Sequence, residues 1–586
     1  MTHPTERFAA IDAAAAPAFS CDGQTVFFLR GFGMPGLWAM APDGTDLRPI
    51  AEPAEKVAFL RRAPKDDRLI FGIDAGGDER QQLWLVDEAV RPLTQAPGAI
   101  HDFGAWSPDG AQIAYAANDR DEAHFDVLVH TLGGETRRLY QGTHQLSVAA
   151  WHPDGSQLLL LADDAEGDQA LLVLTLADGS VRPVPHPRPC AFKSVRWAKD
   201  GSTLLGLSDG GGEFLALCRI DPVAGTVTPW VVAPGADVEA WSLSPDGAQL
   251  ATIENDRGYA LLRVAPVEAT ARPVVDGLPR GVVVDLAWSP DSTQLMMGAS
   301  GPTQPPGLYA YSVGEGTVRP VWVPQAPAGL RPFTLVEWTS FDGRSVPGWI
   351  AYPSREPPAG GWPAVVWVHG GPAGQTRANF RADMQMLLDR GYAVLMPNVR
   401  GSTGYGRSST ASDDVALRLD SVHDLAAAHR WLAAQPGIDR SRIGIMGQSY
   451  GGYMVLAAIG EYPDLWKAAV NYYGIADFTT LLAVTGPWRR AHRSREYGDP
   501  SADAGLFARI SPIHQAHQIT APLLVLHGIR DPRVPFGESE QIVTALEQRQ
   551  HTVQFEVYDY AGHGFIRPED RRRTYAVVAD FFERTL

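Results

Sequence analysis

Short apolar runs bounded by turn residues set the rhythm of the first half of the chain. Gln112-Ile-Ala-Tyr115 and Gln157-Leu-Leu-Leu160 are two of them, each following closely on an Asp-Gly step. A strand-length apolar run entered from Asp-Gly reads as one arm of a β-hairpin. The turns themselves repeat, as Trp106-Ser-Pro-Asp-Gly110, Trp151-His-Pro-Asp-Gly155, Trp197-Ala-Lys-Asp-Gly201, Leu243-Ser-Pro-Asp-Gly247 and Trp288-Ser-Pro-Asp-Ser292. Their aspartates, Asp109, Asp154, Asp200, Asp246 and Asp291, are spaced by 45, 46, 46 and 45 residues. Phe19-Ser-Cys-Asp-Gly23 and a degenerate copy, Ala63-Pro-Lys-Asp66, extend the series backwards at spacings of 44 and 43. A period near 45 made of hairpins is the signature of a β-propeller, and seven copies predict seven blades. The tryptophans before the turns are expected to pack between blades. The pattern leaves open whether the ring closes by strand exchange.

After a Pro-rich link, Val323-Pro-Gln-Ala-Pro-Ala-Gly329, the pattern changes. Strand-like runs at 364–368, 392–396, 443–446, 523–526 and 554–557 alternate with amphipathic stretches such as 424–432. That alternation predicts a mostly parallel, doubly wound α/β sheet with helices on both faces. The expected organisation is a short extension over 1–16 that could pack on the second domain, a seven-bladed propeller over 17–325, and an α/β-hydrolase over 326–586.

Chemistry on such a sheet gathers at the carboxyl ends of the strands. There, the apolar run ending at Met446 leads into Gly447-Gln-Ser-Tyr-Gly451 and then into a small-residue helical stretch. Strand, sharp turn and helix around G-x-S-x-G mark Ser449 as a nucleophile. A serine needs a base, and the base an orienting acid. Asp531 follows the strand ending at Leu526, and His563 lies in Gly562-His-Gly564 after the last strand, which gives the chain order Ser, Asp, His of this fold. The expected oxyanion donors are the N–H of Tyr450 and that of Gly371 in His369-Gly-Gly-Pro372. His369 reads as a structural hydrogen-bonding residue. Tyr472, Tyr473, Phe478, Trp488 and Val534 are candidate pocket residues, although aromatics in such a domain are as often core.

Composition narrows the picture further. A length of 586 residues exceeds what one core supports. The net charge of −17 disfavours nucleic acid and anionic membranes as partners. The three cysteines have neither metal-ligand spacing nor a disulfide pattern, so no metal or cofactor is expected. No basic stretch followed by an apolar one opens the sequence, and the expected location is the cytoplasm.

Together, His369-Gly-Gly-Pro, Asn398-Val-Arg-Gly-Ser-Thr-Gly-Tyr-Gly406, Gly447-Gln-Ser-Tyr-Gly-Gly452, Asp531-x-Arg-Val-Pro535 and Gly562-His-Gly564, preceded by a propeller, resemble the prolyl-oligopeptidase family of serine peptidases. The similarity is greatest to its acylaminoacyl-peptidase branch. The resemblance implies cleavage of short or N-acylated peptides, with the propeller excluding folded proteins. It implies that Arg533 holds a substrate carbonyl, and that Glu79, in Gly77-Asp-Glu79, faces that arginine. It leaves the oligomeric state open between a monomer, a dimer and larger assemblies. The paired propeller glutamates of the dipeptidyl-peptidase branch are missing. An esterase, or a broader oligopeptidase or aminopeptidase using the same triad, remains the alternative; a non-catalytic propeller scaffold is disfavoured by the complete triad.

Overall fold

The computed structural model describes residues 4–163 and 169–586. Among them, seven antiparallel sheets succeed one another along the chain, six of four strands and one of three, each built from consecutive strands. This is a seven-bladed β-propeller. Strands sandwiched between neighbouring blades are apolar and buried, as at Leu204–Ser208, whereas outer strands such as Thr136–Tyr140 are largely exposed. The repeated turn explains itself locally. Asp109 Oδ1 accepts from Ser107 Oγ at 2.6 Å and from Ala111 N–H at 3.0 Å, closing the turn through side-chain capping. The same serine-to-aspartate bond recurs at Ser20–Asp22, Ser244–Asp246 and Ser289–Asp291.

The turn tryptophans other than Trp197 stitch one blade to the previous one. Trp106, Trp151 and Trp288 each donate their indole N–H to a carbonyl of the preceding repeat, at Arg61, Ala105 and Ser242. In the repeat where Leu243 holds the expected position, Trp241 makes the bond instead, to Ser194. The ring closes without strand exchange. The first blade, opened by Ala14–Phe19, and the last, ended by Thr317–Trp322, meet by side-chain packing of Phe19, Phe28 and Met40 on Met296, Leu308 and Ala310.

The rest of the chain forms an eight-stranded sheet in the order Thr334–Thr339, Ser345–Ala351, Ala393–Pro397, Trp362–Val368, Ile438–Gln448, Ala469–Tyr472, Leu523–Gly528, Val553–Tyr558. The first two junctions are antiparallel and the remainder parallel. Apolar clusters cover both faces, the largest around the helices Arg418–Ala433 and Tyr450–Glu461. Ahead of the propeller, the short helix Glu6–Ala9 sets Phe8 among Trp349, Tyr575 and Phe582 of the second domain; residues 1–3 of the expected extension lie outside the described residues. Among the described residues no helix is long and apolar enough to cross a membrane.

The propeller sits over the carboxyl ends of the parallel strands. Gly562 N–H donates to Gly76 O at 2.9 Å, Arg377 pairs with Glu239 at 2.7 Å, and Asn255 donates to Gln375 at 2.8 Å. Arg407 pairs with Asp209 on the same face.

Candidate active site

Ser449 joins the strand Ile438–Gln448 to the helix Tyr450–Glu461 with φ 58° and ψ −121°. A non-glycine residue held there stores backbone strain, and such strain collects at functional turns. The crossing that enforces it is tight. A Cβ on Gly451 would lie 2.3 Å from Val368 O and 2.6 Å from His369 O, so only glycine lets the helix start on the end of the neighbouring strand. That strand leads into the His369-Gly-Gly-Pro loop, where a Cβ on Gly370 would come within 3.3 Å of Ser449 Cβ. The loop therefore flanks the serine, with Gly370 in direct contact and Gly371, at φ 151°, one residue beyond. His369 is buried, with Nδ1 2.9 Å from Gly370 O and Nε2 2.9 Å from Ser402 Oγ. Burial pushes its pKa down, which suits a neutral structural imidazole.

Asp531 and His563 come from different strand ends and meet at 2.7 Å, Oδ2 to Nδ1. Burial alone would raise the Asp531 pKa. Hydrogen bonds from His527 and His563 outweigh it and hold the carboxyl well below the usual range. The backbone N–H groups of Arg533 and Val534 also donate to Oδ1, at 2.8 and 3.0 Å. An ionised Asp531 accepts, so His563 Nδ1 carries the proton and Nε2 is the ring nitrogen with a lone pair. The Tyr473 ring lies 4.7 Å from the His563 ring, centre to centre, and fixes its face.

A cavity of about 580 Å³ lies between the propeller and the second domain, walled by Glu79, Phe125, Trp488, Arg489 and Arg533 among others. Glu79 bonds both Arg533 and Arg489. Burial works against the Glu79 charge, and the two guanidinium groups overcome it and keep its pKa low. Trp488 meets Phe125 edge to face at 5.8 Å. The pocket candidates thus separate. Trp488, Arg533 and Glu79 line the cavity, and Tyr473 contacts the imidazole. Val534 is buried, and its backbone serves Asp531 and His527. Phe478 has no exposed surface and packs in the core against Tyr453 and Tyr497, away from the cavity wall.

Three further residues carry weight that the sequence pattern did not single out. His527 hydrogen-bonds Ser539 Oγ and Val534 O at 2.7 and 3.0 Å, and its Nε2 is 3.6 Å from Asp531. Arg489 shares Glu79 with Arg533. Glu55, from the propeller, accepts from the Tyr560 hydroxyl at 2.7 Å and from Gly76 N–H at 3.0 Å, bracing the loop that carries His563. Only His527 had a visible signal, a histidine at a strand end four residues before the acid.

An α/β sheet with a strained serine turn, a glycine-rich loop against that serine and a His–Asp pair at other strand ends, all beneath a propeller, is a frame on which a serine hydrolase can be built. Residues 378–586 match the model of the prolyl oligopeptidase family. Dipeptidyl aminopeptidase BIII of Pseudoxanthomonas mexicana is 28% identical, across 94% of this chain and 85% of that protein. The acylamino-acid-releasing enzyme of Sus scrofa is 29% identical over a shorter stretch, 41% of this chain and 34% of that protein. A crystal structure of puromycin hydrolase superposes with a TM-score of 0.87 at 19% identity, covering 100% of this chain and 96% of the other.

Proposed function

We propose that the protein is a serine peptidase of the prolyl oligopeptidase type, that it cleaves short peptides near their amino end through an acyl-enzyme on Ser449, and that the propeller limits access by size. The observation that carries the proposal is the His563–Asp531 pair at 2.7 Å, with Arg533, two positions after Asp531, in the wall of a cavity shared with the propeller. In this reading Ser449 Oγ attacks the scissile carbonyl as its proton passes to His563 Nε2. The N–H groups of Tyr450 and Gly371 receive the negative oxygen. His563 then protonates the leaving amine, and water repeats the sequence to release the acyl group.

The Arg533–Glu79 pair supports an N-acylated substrate. An acyl carbonyl has no charge to satisfy, and a guanidinium at the cavity wall can donate to it. A second reading, a free amino end, is favoured by two carboxylates on the same wall. Asp74 is 6% exposed and its Oδ1 lacks a hydrogen-bond partner. Asp102 is pushed up to about 6 by burial with no opposing cation. The deciding experiment compares acetyl-aminoacyl, aminoacyl and dipeptidyl p-nitroanilides with p-nitrophenyl butyrate on the purified enzyme and on Ser449→Ala. Preference for the acetylated substrate supports the acylaminoacyl reading. Preference for either free-amino substrate replaces it, and a preference for the butyrate ester over every peptide refutes the peptidase proposal.

A further inference from the structure

Directly behind Tyr450 lies a buried charge pair that the chemistry above does not use. Arg418 has no exposed side-chain surface and Asp413 only 1%. Arg418 Nη1 donates to Asp413 Oδ2 at 2.5 Å and to the Tyr450 hydroxyl oxygen at 2.9 Å. The Tyr450 hydroxyl donates in turn to the same Asp413 oxygen at 2.8 Å. On its other side, Arg418 Nη2 donates to the carbonyl of Glu496 at 2.6 Å, and the guanidinium lies 5.0 Å from the Tyr497 ring centre.

As architecture alone this arrangement is expensive. A buried ion pair is often no more stabilising than apolar residues of equal volume. Burial pushes Asp413 up to about 6 even with Arg418 beside it. Arg418 also opens the helix Arg418–Ala433, where the helix dipole opposes a positive charge. Both costs are borne at the one residue whose side chain belongs to the expected oxyanion donor.

We infer that Arg418 and Asp413 are positioning residues for the oxyanion hole. They hold the Tyr450 phenol and, through it, the peptide plane between Ser449 and Tyr450 that presents the N–H. The same guanidinium ties this plane to the last turn of the helix Pro487–Tyr497. The first turn of that helix carries Trp488 and Arg489 into the substrate cavity. One buried cation thus joins the oxyanion donor to the substrate wall. The inference rests on reading Ser449 as the nucleophile.

The test uses Tyr450→Phe, which keeps the ring and the backbone N–H, together with Arg418→Met, their double variant and Ser449→Ala. A shift of the donor by a fraction of an ångström lowers kcat on a p-nitroanilide peptide on the order of ten- to a hundred-fold. KM stays within about a factor of two, because substrate binding does not use the oxyanion contact. The double variant is no slower than the slower single, since both act on one contact. Thermal midpoints show whether each variant is folded, and Asp413→Asn takes the place of Arg418→Met if that variant does not fold. A folded Tyr450→Phe with wild-type kcat overturns the inference, as do losses that add fully across the pair. Hydrolysis surviving in Ser449→Ala removes the nucleophile reading itself. Hydrolysis lost there, with Tyr450→Phe inert, removes only the positioning role.

Discussion

Arg533 and Glu79 stand 454 positions apart in the chain and meet across the domain boundary, where Glu79 also binds Arg489. The arginine belongs to the loop that carries the acid, and the glutamate to the propeller. Together with Arg489, Arg533 keeps Glu79 charged in a place where burial alone would favour neutrality.

Arg533→Ala removes a charged donor from the cavity wall. Hydrogen bonds to charged groups are worth about 1.5–3 kcal/mol, or roughly ten- to a hundred-fold in kcat/KM. Acyl-peptide hydrolysis is expected to fall by that factor and small-ester hydrolysis by much less. Parallel steady-state assays on the two substrates check it. Equal losses would assign Arg533 to holding Glu79 in place.

Ser449→Ala is expected to abolish turnover with the fold intact, and a serine-directed phosphonate to label Ser449 alone, as peptide mass spectrometry of the labelled protein can establish. Asp531→Asn should lower kcat on the order of 10⁴-fold, because an amide no longer fixes the Nδ1–H tautomer. A near-normal Asp531→Asn enzyme points to another acid.

Asp102 provides a pH test. Its pKa is raised from 3.8 to about 6 by burial. The folded protein therefore binds more protons there than the unfolded chain, and this site lowers stability as pH rises from about 4 to about 6. Asp102→Asn removes the deficit. The variant is expected to match the wild type near pH 4 and to exceed it at pH 8 in denaturant titrations. If a free ammonium is the natural ligand, KM for an aminoacyl anilide improves above pH 6 in the wild type alone, while an acetylated substrate shows no such change.

Gly562→Ala probes how the propeller supports the base. A Cβ there would lie 2.2 Å from Gly77 O, a backbone atom that cannot step aside. The substitution is expected to cost about 1–3 kcal/mol, as overpacking does, and to lower kcat by dislodging His563. Ala561→Gly, in the same loop, serves as the permissive control. Unchanged kcat and stability in Gly562→Ala would show that the two loops separate freely.

Much of this was legible in the residues. The blade count followed from a turn whose aspartate caps itself, a purely local device. The sequence order also put Asp531 and His563 forward as partners, and the two side chains meet at 2.7 Å. What stayed hidden is non-local. Nothing in the sequence around Glu55 reveals that it braces Tyr560, because the two are 505 positions apart. Phe478 shows the opposite failure. An aromatic close in sequence to Tyr473 invites a pocket role, yet its helix turns the ring inward onto Tyr453 and Tyr497. The pairing of Arg418 with Tyr450 had no signal either, since a lone arginine at a helix start reads as a surface residue.

The seam between the first and last blades gives the second domain another task. No shared sheet holds the seam, yet both of its sides lead into the hydrolase. The last blade does so through the chain itself, and the first through Phe8, anchored beside Trp349 and Tyr575. The second domain therefore fastens the ring that covers it. Cutting away the residues before Ala13 is expected to loosen the lid before it disturbs the chemistry, so that a size filter is lost while small substrates are still cleaved.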